Sequence, residues 1–256
     1  MHILVCVKRV PATGGRVTLT EDGRSIDARH LSFTISPHEE CALEAAVRLV
    51  EAEGGSSTVL TLGPEAAADQ LRDAMAIGID RAIHLVTDGE DWDPMATAGA
   101  IVDAVLAEQA AGTAYDLILF GNEAADSGDY QVAIRVAAAL DLPWLTGIKA
   151  LEIAAGRIRA RRDAAGGWEV FDLPLPAVLA VREGLNRPRY PSIPGRLRAK
   201  KKEIAASRPA PGLGGPTKIR LRVPDEDDRR VEVLGTGPDA APAGVALLRD
   251  LGLVRR

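Results

Sequence analysis

The stretch Gly121 to Asp129, G-N-E-A-A-D-S-G-D, carries the residues best suited to binding a ligand. It follows an apolar run that predicts a buried strand, and it precedes a predicted helix. Free backbone N–H groups and the helix dipole at such a junction favour a phosphate. Asp126 and Asp129 could accept hydrogen bonds from a ribose, but both are equally typical helix caps. Because the loop matches neither G-x-G-x-x-G nor the P-loop pattern, its spacing alone leaves a structural role open.

Other segments are expected at the same edge of a sheet. The segment Cys6 to Thr13 follows a predicted first strand, and Leu62-Gly63-Pro64 follows a second. Ser36 to Glu39, S-P-H-E, opens a helix with a cap, a proline and an acidic first turn. Since ligands of open α/β sheets bind outside the carboxyl ends of the strands, these loops together predict a crevice for an adenine nucleotide.

Groups that could break a covalent bond form no recognisable set. The histidines are His2, His30, His38 and His84, and they show no metal-ligand spacing. No cysteine–histidine or paired-carboxylate arrangement stands out, and Cys6 and Cys41 are predicted to be inert core residues. His38 is the one histidine predicted at a helix start beside the crevice, and it is therefore the candidate for a functional role. The residues alone indicate a nucleotide-binding protein without its own bond-breaking site.

A second distinctive stretch, residues 184–202, is called the docking segment below. It has prolines at every third position (Pro188, Pro191 and Pro194), and from Leu185 to Lys202 it has seven basic residues and no acidic one. Proline favours an extended, stiff path, so Tyr190, Ser192 and Ile193 are predicted on an exposed loop. An apolar side chain held out in a positive field suggests a docking device. A solvated surface loop leading into a basic helix is the alternative.

Strands and helices alternate through the first half of the chain. The predicted strands are Ile3–Val7, Thr58–Leu62, Ala82–Val86 and Asp116–Phe120. The predicted helices run over about 37–52, 65–78, 94–111 and 130–140, and a short hairpin is predicted around Glu21-Asp22-Gly23. This alternation predicts an α/β fold with a parallel, helix-covered, Rossmann-like sheet.

The pattern changes after Pro143. Four strands are predicted at Leu145–Ile153, Arg157–Arg162, Trp168–Leu173 and Ala177–Val181, as an antiparallel addition to the same sheet. A nucleotide-binding domain is therefore predicted over residues 1–204. Residues 205–256 are rich in proline and glycine and predict an extended C-terminal arm, with a strand at Lys218–Val223 and an amphipathic helix at Ala241–Leu251. Such an arm is expected to pack on a partner.

Charge and hydropathy exclude some functions of the 256-residue chain. Its net charge of −5 argues against general nucleic-acid binding. The opening apolar run, M-H-I-L-V-C-V-K, is too short for a signal peptide or a membrane span and suits a buried strand. A cytoplasmic location is the resulting expectation.

Several motifs, in order, resemble the β subunit of electron transfer flavoproteins over about residues 1–204. They are I-L-V-C-V-K-R-V-P, I-S-P-H-E-E-C-A-L-E-A-A-V-R-L, T-L-G-P, A-M-A-I-G-I-D-R-A-I-H-L, L-I-L-F-G-N-E-A-A-D-S-G-D-Y-Q-V and L-P-A-V-L-A-V-R-E-G-L-N-R-P-R-Y-P-S-I-P-G-R-L-R-A-K-K-K. The resemblance implies a heterodimer with an α subunit that holds the redox-active FAD. The crevice of this chain would bind AMP, or a second FAD in electron-bifurcating members, where NADH oxidation is possible.

The resemblance also implies site residues. Those implied for the nucleotide are Cys6, Val7, Lys8, Thr13, Ser36, Pro37, His38, Glu39, Leu62, Gly63, Gly121, Asn122, Glu123, Ala124, Ala125, Asp126, Ser127, Gly128, Asp129, Gln131 and Val132. Those implied for partner recognition are Arg189, Tyr190, Pro191, Ile193, Pro194 and Lys200, with Ile193 in place of the family's anchoring leucine. Thr13 and His38 stand where some members have aromatic residues near the flavin of the α subunit, so flavin contact from this chain is expected to differ.

The implied role is electron transfer from flavin dehydrogenases, such as acyl-CoA dehydrogenases, to a quinone oxidoreductase. Two other functions remain open at this level: a stand-alone adenine-nucleotide-binding enzyme or stress protein, and a non-redox scaffold subunit. Against the enzyme, the chain lacks the Ser-Gly-Gly-x-Asp-Ser loop of ATP pyrophosphatases, and against the stress protein it lacks a glycine-rich phosphate loop. Val132-Ala133 replaces a T-G or V-G pair common in the family, which leaves AMP or FAD undecided.

Overall fold

The computed structural model describes residues 1–12, 17–89, 91–212, 215–223 and 232–254. Within these residues, nine strands form one sheet and two short strands form another. The strands are β1 (His2–Val7), β2 (Val10–Pro11), β3 (Phe33–Thr34), β4 (Ser56–Gly63), β5 (Arg81–Val86), β6 (Leu117–Gly121), β7 (Trp144–Ala154), β8 (Arg157–Ala164), β9 (Gly167–Pro174), β10 (Ala177–Val181) and β11 (Ile204–Ser207). The helices are α1 (Pro37–Glu53), α2 (Ala68–Ile77), α3 (Pro94–Ala110), α4 (Val132–Ala139), α5 (Ile193–Lys201) and α6 (Ala241–Asp250).

The large sheet has the strand order β11-β5-β4-β1-β6-β10-β7-β8-β9. Every neighbouring pair from β11 to β7 is parallel, while β7, β8 and β9 pair antiparallel. The predicted α/β class with a Rossmann-like parallel sheet and antiparallel additions is thereby confirmed.

Each central strand is apolar on both faces because helices cover both sides of the sheet. In β1, Ile3, Val5 and Val7 pack with α1 and α2, whereas Leu4 and Cys6 pack with α3 and α4. Residues alternate between the two cores because successive side chains of a strand point to opposite faces. The carboxyl ends of β1, β4, β5 and β6 therefore meet at one edge between two helical layers.

Local sequence signals fix the starts of the helices that border this edge. Ser36 caps α1 in a capping box, in which its side chain accepts from the Glu39 backbone N–H and the Glu39 carboxylate accepts from the Ser36 N–H. Asp93 caps α3 by accepting from the N–H groups of Met95 and Ala96. Helix α2 ends at Gly78, where a φ of 132° suits glycine alone.

Several predicted elements need correction. The helix expected from Tyr130 begins at Val132, because Tyr130 has a left-handed φ of 55° that no α-helix accommodates. The hairpin predicted around Asp22 is reduced to one bridge between Leu19 and Ile26. No strand forms over Lys218–Val223, which belongs to the described residues.

The addition after Pro143 is only partly antiparallel. The last of its four predicted strands, β10, runs parallel to both β6 and β7 and lies between them. All five residues of β10 are buried. Burial on both faces is typical of a central parallel strand. The uninterrupted apolar run A-V-L-A-V is the sequence pattern that indicates such a strand.

The sheet continues past residue 204, where the arm was predicted to begin, because β11 pairs with β5 as a parallel edge strand. The described residues form two compact units, Met1–Arg220 and Leu221–Arg256. The second unit contains α6, close to the predicted helix, and none of the residues of α6 is buried. Among the described residues, no helix has the length and apolarity needed to cross a membrane.

Candidate functional site

A cleft opens at the carboxyl edge of the parallel sheet. It contains about 1110 Å³ of empty space, part of which is open solvent. Its walls come from the ends of β1, β4 and β6, the start of α1, the segment between β5 and α3, and the segment between β6 and α4. Its position is the one at which open α/β sheets bind their ligands.

The segment from Gly121 to Gln131, called the cleft loop below, forms one wall. It is anchored at Asn122, whose N–H donates to the Val181 carbonyl and whose Oδ1 accepts from the Gly147 N–H, both at 2.8 Å. Gly128 takes a left-handed φ of 60°, and its N–H closes a turn onto the Ala124 carbonyl. Gly121 packs against α1, since a Cβ there would lie 2.7 Å from Cγ of Glu39.

Helix α4 starts at the cleft without a side-chain cap. Its N-cap residue, Gln131, makes no side-chain hydrogen bond to the first turn, and its Oε1 accepts from Arg135 instead. The N–H groups of the first turn have no partner within the helix itself, and Val132 and Ala133 line the cleft. Such a helix start suits a phosphate group.

The cleft loop is held by Lys8, the residue that follows β1, and Lys8 is held in turn by Glu39 of α1. Lys8 Nζ lies 2.7 Å from Asp126 Oδ2, and the Lys8 backbone N–H donates to Glu39 Oε1 at 2.9 Å. Glu39 is buried, and burial raises its pKa to about 8, against the hydrogen bonds from the N–H groups of Ser36 and Lys8. The carboxyl group of Glu39 is therefore mostly protonated at neutral pH, which removes a negative charge from the wall where an anion would bind.

His38 contacts the cleft loop through Glu123 and does not line the cleft. Its Nε2 lies 3.5 Å from Oε1 of Glu123, and its Nδ1 accepts from the Glu183 N–H at 3.4 Å. Ser36 Oγ donates to the Glu123 carbonyl. Tyr130 shares a hydrogen bond with Glu123 that raises the pKa of the phenol. His38 and Ser36 therefore contact the loop rather than the open cleft.

The sequence-implied site residues are only partly brought together. Those that line the cleft are Cys6, Val7, Lys8, Glu39, Leu62, Gly63, Gly121, Asn122, Glu123, Ala124, Ser127, Asp129, Gln131 and Val132. Those placed beside it are Ser36, Pro37, His38, Ala125, Asp126 and Gly128. Thr13 lies outside the described residues. Burial raises the pKa of the Cys6 thiol, so this residue serves as an apolar part of the wall, as predicted for a core cysteine.

Sequence reasoning missed a third wall. Gly89, Asp91, Trp92, Pro94 and Thr97, between β5 and the first turn of α3, line the cleft. The signal was available, because the loop after the predicted third strand must reach the same edge as the loops after the first two. Thr146 of β7 and Ala180 of β10 were missed as well, because the sequence did not reveal that β10 pairs with β6 and that β7 pairs with β10.

The docking segment lies on α1 and α2. Ile193 is the first residue of α5 rather than a loop residue, with Ser192 as its N-cap. The side chains of Tyr190 and Ile193 are 95% and 77% exposed, and Leu197, one helical turn beyond Ile193, is also exposed. Gly195 is packed so closely that a Cβ would lie 2.3 Å from the Ala76 carbonyl oxygen. The helix is thus fixed on α2 while its apolar residues face outward.

The fold and the cleft define a parallel-sheet α/β protein with a ligand-sized crevice at the carboxyl ends of its strands, the class that includes Rossmann-like nucleotide-binding proteins. A model of the electron transfer flavoprotein domain matches residues 25–211. The chain is 38% identical to the electron transfer flavoprotein subunit beta of Syntrophomonas wolfei over 81% of its length and 79% of that protein. It is 38% identical to the subunit of the same name from Bacillus subtilis, over 80% and 77%. For that of Megasphaera elsdenii the identity is 32%, over 86% of both chains.

The chain belongs to the electron transfer flavoprotein family, as a β subunit. The resemblance stated from the sequence motifs is thereby confirmed, together with its role in flavin-linked electron transfer. A β subunit also implies an α subunit as partner.

Proposed function

We propose that the chain pairs with an α subunit that holds a redox-active FAD, and that the pair carries electrons in the cytoplasm. The electrons come from flavin dehydrogenases, such as acyl-CoA dehydrogenases, and pass to a quinone oxidoreductase or a similar acceptor. The observation that carries this proposal is the docking segment, in which apolar side chains stand exposed on a basic helix that is itself firmly packed. The FAD supplies the redox chemistry, and this chain supplies assembly and docking.

The cleft is proposed to hold an adenine nucleotide. The uncapped start of α4 and the backbone of the cleft loop would bind its phosphate, with the ammonium of Lys8 nearby. Asp129 and Gln131, which line the cleft, would exchange hydrogen bonds with ribose hydroxyl groups, and Leu62 and Val7 would supply apolar surface for the base. Protonated Glu39 keeps this wall free of a repelling charge.

AMP is the simpler occupant, and a second FAD is the alternative. Three aromatic residues in its walls, Trp92, Phe120 and Tyr130, offer ring surface that suits the larger ligand. With a second FAD the heterodimer would be electron-bifurcating, with NADH as donor. The simple carrier and the bifurcating complex would thus bind different ligands in the same cleft, and both would use the docking segment.

A direct test is to produce the chain together with its α subunit, denature the purified complex and identify the released nucleotides. One FAD and one AMP for each heterodimer supports the simple carrier, and two FAD support bifurcation. A colourless monomer that hydrolyses ATP would overturn the proposal.

The C-terminal arm was predicted over residues 205–256, and the part of it that begins at Leu221 is proposed to pack on the α subunit. The apolar residues of α6 and the turn after it are exposed within their own unit: Val245, Leu247, Leu248, Leu251 and Leu253. Burial of such residues normally needs another surface. Deletion of residues 221–256 should abolish co-purification with the α subunit, and retention of the α subunit at full yield would contradict this role.

A further inference from the structure

Glu44 is a buried carboxylate that has no part in the cleft. It lies on α1, and its side chain is 1% exposed. A buried carboxylate is costly unless it is paired and hydrogen-bonded. The reason for its position must therefore lie in its partners.

Those partners come mainly from the docking segment. Glu44 Oε2 accepts from the backbone N–H of Arg189 at 3.1 Å and from its Nε at 2.9 Å, and Oε1 accepts from Nη2 at 3.3 Å. Arg48, one turn along α1, also donates to Oε1. The outer edge of the Arg189 guanidinium binds Glu51 at 2.7 and 2.9 Å. Burial would raise the pKa of Glu44, but the hydrogen bonds from Arg189 and Arg48 outweigh it and lower the pKa.

Further hydrogen bonds fix the backbone just before Arg189. Arg48 Nη2 donates to the Arg187 carbonyl at 3.1 Å, and Asn186 Nδ2 donates to the Cys41 carbonyl at 2.9 Å. The chain from Asn186 to Arg189 is thus bound along α1, with Glu44 at the centre of the contact. The next residue, Tyr190, is almost fully exposed.

We propose that Glu44 is a positioning residue for partner docking: through Arg189 it fixes residues 186–189 on α1 and so sets where Tyr190 and Ile193 stand. This inference rests on the proposed docking role of the segment. Glu44 itself touches neither the partner nor the nucleotide. Its effect is to order the segment before contact, so that less conformational entropy is lost on binding.

The test uses the αβ complex with its bound FAD and a substrate-reduced acyl-CoA dehydrogenase as electron donor. Glu44→Gln keeps the volume of the side chain but removes its charge and weakens the hold on Arg189. The rate of FAD reduction at low donor concentration should fall about 3- to 10-fold. This is the effect expected when one or two more side chains must be ordered on contact. The rate at saturating donor and the FAD content should stay unchanged. Glu44→Asp, which keeps the charge, should recover part of the loss.

Glu108→Gln is the matched control. Glu108 lies on α3, and its carboxylate likewise accepts two hydrogen bonds from one arginine, Arg81, at 2.9 and 3.3 Å. Its substitution should leave the rate at low donor concentration unchanged. Amide hydrogen exchange gives a readout that involves no partner: Glu44→Gln should speed exchange at the Arg189 N–H, while exchange in β1 and β4 should be unaffected.

If Glu44→Gln prevents folding, Glu51→Gln gives the same test, because Glu51 is largely exposed and holds only the guanidinium of Arg189. Its expected effect is about twofold at low donor concentration. The inference is overturned if the tested variant matches Glu108→Gln, or if its loss persists at saturating donor. Ile193→Ala separates the docking role of the segment from the positioning role of Glu44. If Ile193→Ala leaves the rate of FAD reduction unchanged, the docking role is contradicted. If Ile193→Ala slows this rate and Glu44→Gln does not, only the positioning role is contradicted.

Discussion

The docking segment and the cleft loop use their polar groups in opposite ways. In the docking segment, Arg189 binds Glu44 and Glu51, Arg196 binds Asp73, and Lys202 donates to the Ile79 carbonyl. Its exposed surface combines apolar residues, among them Ile193 and Leu197, with the basic side chains of Lys200 and Lys201. At the cleft loop the helix start after Gln131 has no side-chain cap. One region uses part of its polar groups to fix itself on the domain and presents apolar and basic side chains to a protein, and the other keeps backbone donors for a small ligand.

The largest effects are expected from one added methyl group in each region. Gly195→Ala places a Cβ against the Ala76 backbone, and Gly121→Ala places one against Glu39, which is held by two hydrogen bonds. Neither neighbour can move cheaply, so each variant should lose about 1–3 kcal/mol of stability. Thermal unfolding of the αβ complex measures this loss.

The same pair tests whether the two regions are independent. Gly195→Ala should slow reduction by a dehydrogenase and keep the full nucleotide content, whereas Gly121→Ala should lose nucleotide and keep docking. Gly99→Ala is the control, since a Cβ there meets nothing within 4 Å. Loss of both functions in either variant would show that the regions are coupled and would break the comparison.

Ile193→Ala should have the next largest effect. An exposed apolar residue at the centre of a docking contact typically contributes about 2 kcal/mol, or ~30-fold in affinity. Reduction of the FAD by an acyl-CoA dehydrogenase should slow accordingly at low donor concentration, with normal flavin content. Leu197→Ala should show a smaller loss, and Leu106→Ala, an exposed leucine on α3, should show none. Loss of flavin from the Ile193 variant would instead make the segment structural.

Much of the fold could be predicted because local signals agree with the final structure. Ser36, Asp93 and Gly78 mark helix ends through capping, and the apolar runs of β1, β4, β5 and β6 mark buried parallel strands. The pairing of β10 between β6 and β7 could not be predicted. Strand order depends on contacts between residues far apart in sequence, and the five residues of β10 give no local hint of which strands they pair with.

The site was predicted to the level of its loops but not of its side-chain roles. Lys8 appeared as part of a loop after β1, but its ion pair with Asp126, 118 residues away, depends on tertiary structure. Arg189 was assigned to partner recognition. Its charge is largely balanced by Glu44 and Glu51 of α1, and neither carboxylate is near it in sequence. Which charges are free for a partner is thus a property of the folded chain.

The buried carboxyl group of Glu39 gives the cleft a pH dependence that the docking segment is not expected to share. Its folded-state pKa of about 8 lies above the ordinary value of 4.5, so the folded chain keeps a proton that the unfolded chain releases. This contribution to stability is fully present below pH 4.5 and is lost as the pH rises through 8. Between these values the free energy of unfolding should fall by up to about 1.4 kcal/mol for each pH unit. Glu39→Gln should reduce that slope.

The affinity for AMP gives a second measurement on Glu39. It is measured by calorimetry on the αβ complex after its nucleotide has been removed. Ionisation above pH 8 places a negative charge at the cleft wall, so AMP affinity should fall by up to about tenfold between pH 7 and 9. In the Glu39→Gln variant the affinity should vary much less over this range. An equal fall in both proteins would assign the pH dependence to another group.

The smallest effect is expected from the charges that the docking segment leaves exposed. Lys200 lies on α5, and both it and Lys201 are exposed. Because exposed charges act mainly on the rate of encounter, Lys200→Gln should slow reduction by an acyl-CoA dehydrogenase only about 2- to 3-fold at low ionic strength. The difference should vanish at about 0.5 M salt, where screening is strong. The loss caused by Ile193→Ala should persist there, since apolar contact does not depend on screening. If salt removed both losses, the apolar residues would not be the anchors, and the contrast between a segment with apolar anchors and an open cleft would fail.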